Sequence, residues 1–428
     1  MDSSATISVV WHPAIKFLFR FCFVYFFLYC FPFPLDGFDF TTPVAKPYYH
    51  FFDWLVPLIG RKWFHLKAVI TFPLFDKVDD SRYGLVFIYC TLIISASATI
   101  IWSYLDWKRK NYLNLNEWLK IYLRYFLAAY LFGYGFVKVF PSQFQEITAS
   151  RLVMTVGDQS PMLLAWNFMG YSTTLMKLNG LVEVIAGLLL LFRRTTTIGA
   201  IAASFAFAFI VLMDFCFNIP VRLLASHLLI ISVFLILEDS PRLLNVFILN
   251  KTVPKTIYPL MIAQPRGRRI FTWLQLIFSV CLFYSSLAKG LDAQQSFGRQ
   301  VPHVPLYGVY KTVYFIRNND SVAPTETDTL RWKQLVIDGG SWNQSGVIQF
   351  GNDSKTMYDI EVDTLQQKLH LKISSDTLKQ FFFHYAIKNN NQILFKGLWQ
   401  KDSIEVLMHK YDLNNFLLHK EKFRWITY

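Results

Sequence analysis

Uncharged apolar stretches recur along the first two thirds of the chain, and short alternating stretches replace them after Pro305. About 20 apolar residues cross a bilayer as a helix. On that measure seven spans are expected, at 15–33, 83–105, 118–140, 173–192, 196–217, 221–237 and 269–288. Segment 51–64, FFDWLVPLIGRKWF, is too short and too polar to cross, and its aromatics beside Arg61 and Lys62 suit a helix lying in the membrane interface. After Pro305, eight strands are expected at 306–317, 331–338, 345–351, 356–363, 368–374, 380–388, 392–400 and 403–412. Turns such as Asn318-Asn319-Asp320, Asp338-Gly339-Gly340, Gly351-Asn352-Asp353 and Asn389-Asn390-Asn391 offer the positive-φ positions that hairpins need. Eight strands at a spacing of roughly 10–12 residues read as an antiparallel up-and-down barrel.

The expected fold class is thus a multi-domain membrane protein, an α-helical transmembrane bundle of about seven spans followed by an antiparallel eight-stranded β-barrel. Four regions follow. Residues 1–117 form an N-terminal membrane region with two spans and the interfacial helix, 118–238 a four-helix core, 239–300 a loop with the last span, and 301–428 the β-domain. The tail 416–428, rich in aromatics, is expected to plug or flank the barrel.

Composition agrees with a membrane setting. Of 428 residues, 54% are apolar and only 17% charged, against roughly 25% charged in soluble domains. The net charge of +13 is not a nucleic-acid footprint, because much of it lies in loops between apolar segments. The loops 106–117, 193–195 and 238–269 are basic, while 141–172 holds only Arg151. With seven spans, the positive-inside bias puts the N-terminus in the cytoplasm and the β-domain outside. The loop 34–82 dissents, with six Lys/Arg balanced by six Asp on the outer side. The expected location is the bacterial inner membrane, with the lipid bilayer as partner and no nucleic acid. Five scattered cysteines without a CxxC give neither a dithiol centre nor a zinc site, and no metal ligand set is visible.

Ionisable groups inside spans are costly and mark candidate sites. Lys138 ends the third span at its outer end, and Lys177 and Asn179 open the fourth from the same side. Asp214 ends the fifth there, while Arg222 and His227 open the sixth. Glu183 sits deepest, one turn below Asn179 on the same helix face. These seven groups converge on one leaflet. They are either an ion-pair network that holds the helices together or a polar pocket opening outward.

The stretch RYFLAAYLFGYGFVKVFPSQF (124–144) carries Gly135 and Lys138 in a G-x-x-K ending, and LNGLVEVIAGLLLLFRRTTTIGA (178–200) carries Gly180, Glu183 and Gly187 in a G-x-x-E-x-x-x-G pattern before a basic turn. Over residues 118–238 the chain resembles the four-helix core of DoxX-like integral membrane proteins. The long form, with extra spans and a lipocalin-like β-domain, is similar to membrane proteins of Bacteroidetes-type bacteria. A more distant similarity of layout is to vitamin-K-dependent-carboxylase-like membrane domains. The DoxX-like resemblance implies a link to quinone-dependent oxidation or to complexes handling oxidative stress, with a quinone as the cofactor it points to.

The leading expectation is an accessory membrane protein, not an enzyme, whose outer β-domain binds a small lipophilic ligand or a membrane protein complex. A transporter or lipid-handling protein using the polar pocket is the second reading. A membrane enzyme with Glu183 and His227 as acid–base groups is the third.

Overall fold

A computed structural model describes residues 10–35, 41–66, 80–254, 262, 264–340, 343–389 and 391–420. Twelve α-helices are present among them. They are α1 (Pro13–Cys30), α2 (Thr42–Lys62), α3 (Arg82–Leu105), α4 (Leu113–Val139), α5 (Ala149–Leu152), α6 (Pro161–Tyr171), α7 (Thr173–Leu191), α8 (Thr196–Cys216), α9 (Arg222–Leu237), α10 (Ser240–Phe247), α11 (Pro265–Phe297) and α12 (Leu417–Lys420). The strands are β1 (Gly308–Arg317), β2 (Asp320–Ser321), β3 (Trp332–Gly340), β4 (Asn343–Phe350), β5 (Lys355–Asp363), β6 (Lys368–Ile373), β7 (Asp376–Asn389), β8 (Gln392–Trp399) and β9 (Asp402–Tyr411). Two compact units result, one of Met1–Phe140 with Lys177–Leu291, the other of Pro141–Met176 with Asp292–Tyr428.

The first unit is helical and membrane-embedded. Five helices are long and apolar enough to cross a bilayer, namely α1, α3, α7, α8 and α11. The count falls short of seven for two reasons. Helix α4 is 27 residues long but carries Glu117, Lys120, Arg124 and Lys138, and those charges break its apolar run. Helix α9 stops after 16 residues and meets α10 at a bend of 72°, so the pair counts as a sixth span only if taken together. Most of segment 51–64, expected to lie in the interface, is the second half of the longer helix α2, which packs on α3 with Phe52 against Phe87.

Helix ends follow local chemistry. Ser81 accepts the Gly84 N–H at 3.0 Å to cap α3, and Ser160 accepts the Leu163 N–H at 3.1 Å ahead of Pro161 in α6. The bundle core is aromatic, with Tyr29, Phe87, Phe132 and Phe207 at most 1% exposed. Thr91, Ser95 and Thr99 form a fully buried stripe on α3, each hydroxyl donating to the carbonyl one turn back.

The second unit is the barrel together with α5 and α6. Strands β1 and β3 to β9 pair in sequence order, all antiparallel, and β1 pairs with β9 from Val309↔Tyr411 to Arg317↔Ile404, which closes an eight-stranded barrel. All eight expected strands are present, each within a few residues of the sequence reading. Two-residue alternation explains why: Ile404, Val406 and Met408 are buried while Glu405 and Leu407 between them are less so. Asn318, Asn319 and Asp353 take the positive φ expected of the turns, at 51°, 70° and 64°. Asn390 lies outside the described residues, as does 421–428 of the tail.

Side chains fill the barrel interior. Trp332 lies 5.2 Å from Trp399 and 5.3 Å from Phe383, and Phe381 stacks on Trp399 at 4.3 Å. Each of the four is at most 8% exposed.

Candidate functional site

The polar cluster is assembled where α4 and α7 touch. Gly135 and Gly180 face each other so closely that a Cβ on Gly180 would stand 2.5 Å from the Gly135 carbonyl and 2.6 Å from the Lys138 Cβ. A Cβ on Gly187 would meet the Phe132 ring at 2.7 Å. The glycine spacing seen in the sequence thus serves close helix packing. Its result is to bring Lys138, near the end of α4, onto Glu183 in the middle of α7, where the two form an ion pair. Both are buried, Glu183 to 1% exposure. Lys138 takes one carboxylate oxygen, Oε1, and the Tyr134 ring lies 6.0 Å from its ammonium. The other oxygen, Glu183 Oε2, is buried with no hydrogen-bond partner among the described residues.

Asp214, two residues from the end of α8, is 3% exposed, and its Oδ2 is likewise buried without a partner among the described residues. Lys138, Arg222 and Asp80 all act on it electrostatically. Asp80 was not among the sequence candidates. Its carboxylate accepts the backbone N–H of Arg222 at 3.1 Å and of Leu223 at 2.9 Å, capping α9, and pairs with Arg222 Nε at 2.6 Å. Asn218, held at φ 54°, accepts a further bond from Arg222 at 3.2 Å.

His227 is fixed from three sides. Its Nδ1 lies 2.6 Å from the Leu223 carbonyl, which only accepts, so Nδ1 carries the proton. In the neutral ring Nε2 then accepts from the Tyr25 hydroxyl at 2.7 Å, and Tyr29 stacks on the ring at 4.2 Å. Of the seven residues read from the sequence, Lys138, Glu183, Asp214 and Arg222 are thus drawn into one electrostatic group. His227 lies on the same helix with its own tyrosine partners. Asn179 is half-buried, and Lys177 is exposed, away from the cluster. Lys177 lies six residues from Glu183, which rotates it about 240° around the helix. Asp80, Tyr25 and Tyr29 were missed; an arginine at the start of an apolar helix that lacks a capping side chain of its own is the signal that would have pointed to Asp80.

At the opposite end of the bundle, Arg124 donates to the Leu190 and Leu191 carbonyls, each at 2.8 Å, and so satisfies the end of α7. Arg20 is held by Tyr112, Ser103 and the Asp106 carbonyl, each at 2.8–2.9 Å. These contacts are structural anchors.

In the barrel unit, α5 lies on β1 and β3. Ala149 packs on Val309 and Val336, its N–H donates to the Tyr307 hydroxyl at 2.9 Å, and the Ser150 N–H and hydroxyl both donate to Asp338. Burial, with Asp338 nearby, pushes the Tyr307 phenol up to about 12. Burial lowers Arg151 from its usual range, and Asp338 partly offsets it.

Chemically, the bundle cluster offers two buried carboxylate oxygens that can accept hydrogen bonds, beside one ammonium already engaged. A hydroxyl-bearing head group is the chemistry that such acceptors would suit. Among the described residues no three His, Cys, Asp or Glu side chains gather as a metal site.

No family model matches the chain, and no solved structure matches it. Over 124 residues, 29% of the chain, it is 33% identical to the uncharacterised protein YwoB of Bacillus subtilis (strain 168), and the match covers 79% of that protein.

Proposed function

The chain belongs to the family of YwoB, and we propose that it acts as an accessory protein of the bacterial inner membrane whose helical bundle binds the hydroxyl-bearing head group of a small lipophilic molecule. A quinol is the form that fits, and bound there it would supply two-electron redox capacity to a partner complex. The observation that carries this reading is the Glu183 carboxylate, mid-helix and 1% exposed, with Lys138 on one oxygen and nothing on the other among the described residues. Such a group in hydrocarbon is expensive and is kept where it has a task. The aromatic filling of the barrel favours a second role for the β-domain, as a surface for the partner rather than a container for the ligand.

The proposed orientation has the barrel outside and the loop 106–117 in the cytoplasm, following the basic loops. The makeup of the second unit supports it. Loop 141–176 and the barrel fold as one unit and so share one side of the membrane. An even number of crossings then separates them, which requires α9 to cross along with α7, α8 and α11.

Mass spectrometry of an organic extract from the detergent-purified protein tests the function, with an unrelated membrane protein as control. A stoichiometric quinone or other hydroxyl-bearing lipid, lost in Glu183→Gln at equal yield and melting temperature, is the expected result. Bulk phospholipid alone would overturn the head-group reading and leave the ion pair as a fastener between helices.

A further inference from the structure

Among the described residues the charges of the cluster do not balance. Lys138 and Arg222 bring two positive charges; Asp80, Glu183 and Asp214 bring three negative ones. Arg222 is taken by Asp80 and Lys138 by Glu183. Asp214 is left over, with Oδ2 enclosed by protein and unpartnered among the described residues. No other cation among the described residues of the cluster makes up the difference. His227 has both nitrogens committed, to Leu223 and Tyr25, and counts as neutral with Nδ1 donating and Nε2 accepting. Lys177 is exposed. An isolated carboxylate in such surroundings neutralises itself by taking up a proton or a cation. A proton neutralises the buried Asp214 oxygen without any further residue having to move.

We propose that Asp214 is a proton-binding site of the membrane bundle, holding one exchangeable proton while Lys138 stays on Glu183. On release the O–H bond of the acid breaks, its electron pair remains on the carboxylate, and the proton passes to water. Two carboxylates then compete for Lys138, which couples the protonation of α8 to the pairing of α4 with α7. The inference concerns the same cluster as the head-group reading, but it does not need a lipid to be bound, so the two fail separately.

Infrared spectroscopy of the full-length protein at neutral pH, in H₂O and D₂O, reads it directly through the carbonyl band of a protonated carboxylic acid. Charge counting sets the pattern. The wild-type chain gives one such band, shifted in D₂O. Asp214→Asn abolishes it, and so does Glu183→Gln, because Lys138 is then free to pair with an ionised Asp214. Lys138→Met about doubles it, since two protons are now needed. Asp214→Glu moves the band without removing it, whereas Glu183→Asp leaves it in place; these variants keep every charge and serve if the others do not fold. A wild-type chain without the band would overturn the proposal. So would a band that follows Glu183→Asp, or one erased by sodium or potassium chloride at fixed pH, which would make the occupant a metal cation.

Discussion

Gly180 is the residue on which the bundle's polar site depends most simply. Its missing side chain lets α7 approach α4 until the Gly135 carbonyl occupies the space of a Cβ, and that approach sets Lys138 on Glu183. Gly180→Val must push backbone against backbone, with no flexible side chain to give way. Overpacking of this kind costs about 1–3 kcal/mol or more. Gly133, on the same helix α4, has nothing within 4 Å of its ideal Cβ, so Gly133→Ala is expected to be neutral or to stabilise by up to about 1 kcal/mol through helix propensity. Melting temperatures of the two variants in one detergent check the contrast. Equal melting temperatures would mean that α4 and α7 do not meet at these glycines. The pairing was half legible in the sequence: the G-x-x-K and G-x-x-E-x-x-x-G spacings are local, but which glycine faces which is decided by the register between two helices.

At the scale of elements, α5 and the strands β1 and β3 form a latch whose strength should depend on pH. The Tyr307 phenol accepts the Ala149 N–H, and burial raises it from 10.0 in the free side chain to about 12. The folded unit therefore binds the phenolic proton more tightly than the unfolded chain does. The stability tied to that proton is complete below pH 10 and is lost as the pH climbs from 10 towards 12. A thermal melt of the full-length protein should show the β-domain transition falling across this window, and Tyr307→Phe should flatten the fall. An unchanged slope in that variant would assign the alkaline loss to other groups. Sequence reading took residues 141–172 as a plain outer loop. Ser150 and Asp338 stand 188 residues apart, and no periodicity connects them.

For the whole molecule the central prediction is topological. Loop 141–176 and the barrel belong to one unit, so the proposed orientation expects both outside and the loop 106–117 inside. In a cysteine-free background expressed in intact bacterial cells, Gly157→Cys and Asn319→Cys should react with a membrane-impermeant thiol reagent, and Lys108→Cys only after lysis. Labelling of Lys108→Cys in intact cells would reverse the orientation. Opposite labelling of Gly157→Cys and Asn319→Cys would break the even-crossing argument and turn α9 with α10 into a re-entrant loop.

What the sequence determined by itself are the features governed by neighbours along the chain. Apolar run length marked the spanning helices, and two-residue alternation with Asn and Asp turns marked all eight barrel strands, because helix and strand periods are properties of short segments. The tertiary structure decided what depends on contact between distant segments. It drew Asp80 out of a loop to cap α9, turned Lys177 away while drawing Lys138 in, and filled the barrel with tryptophan and phenylalanine. Among the described residues it also gave the cluster one more negative charge than positive. Charge balance belongs to a place in space rather than to a stretch of chain, and only folding brings its members together.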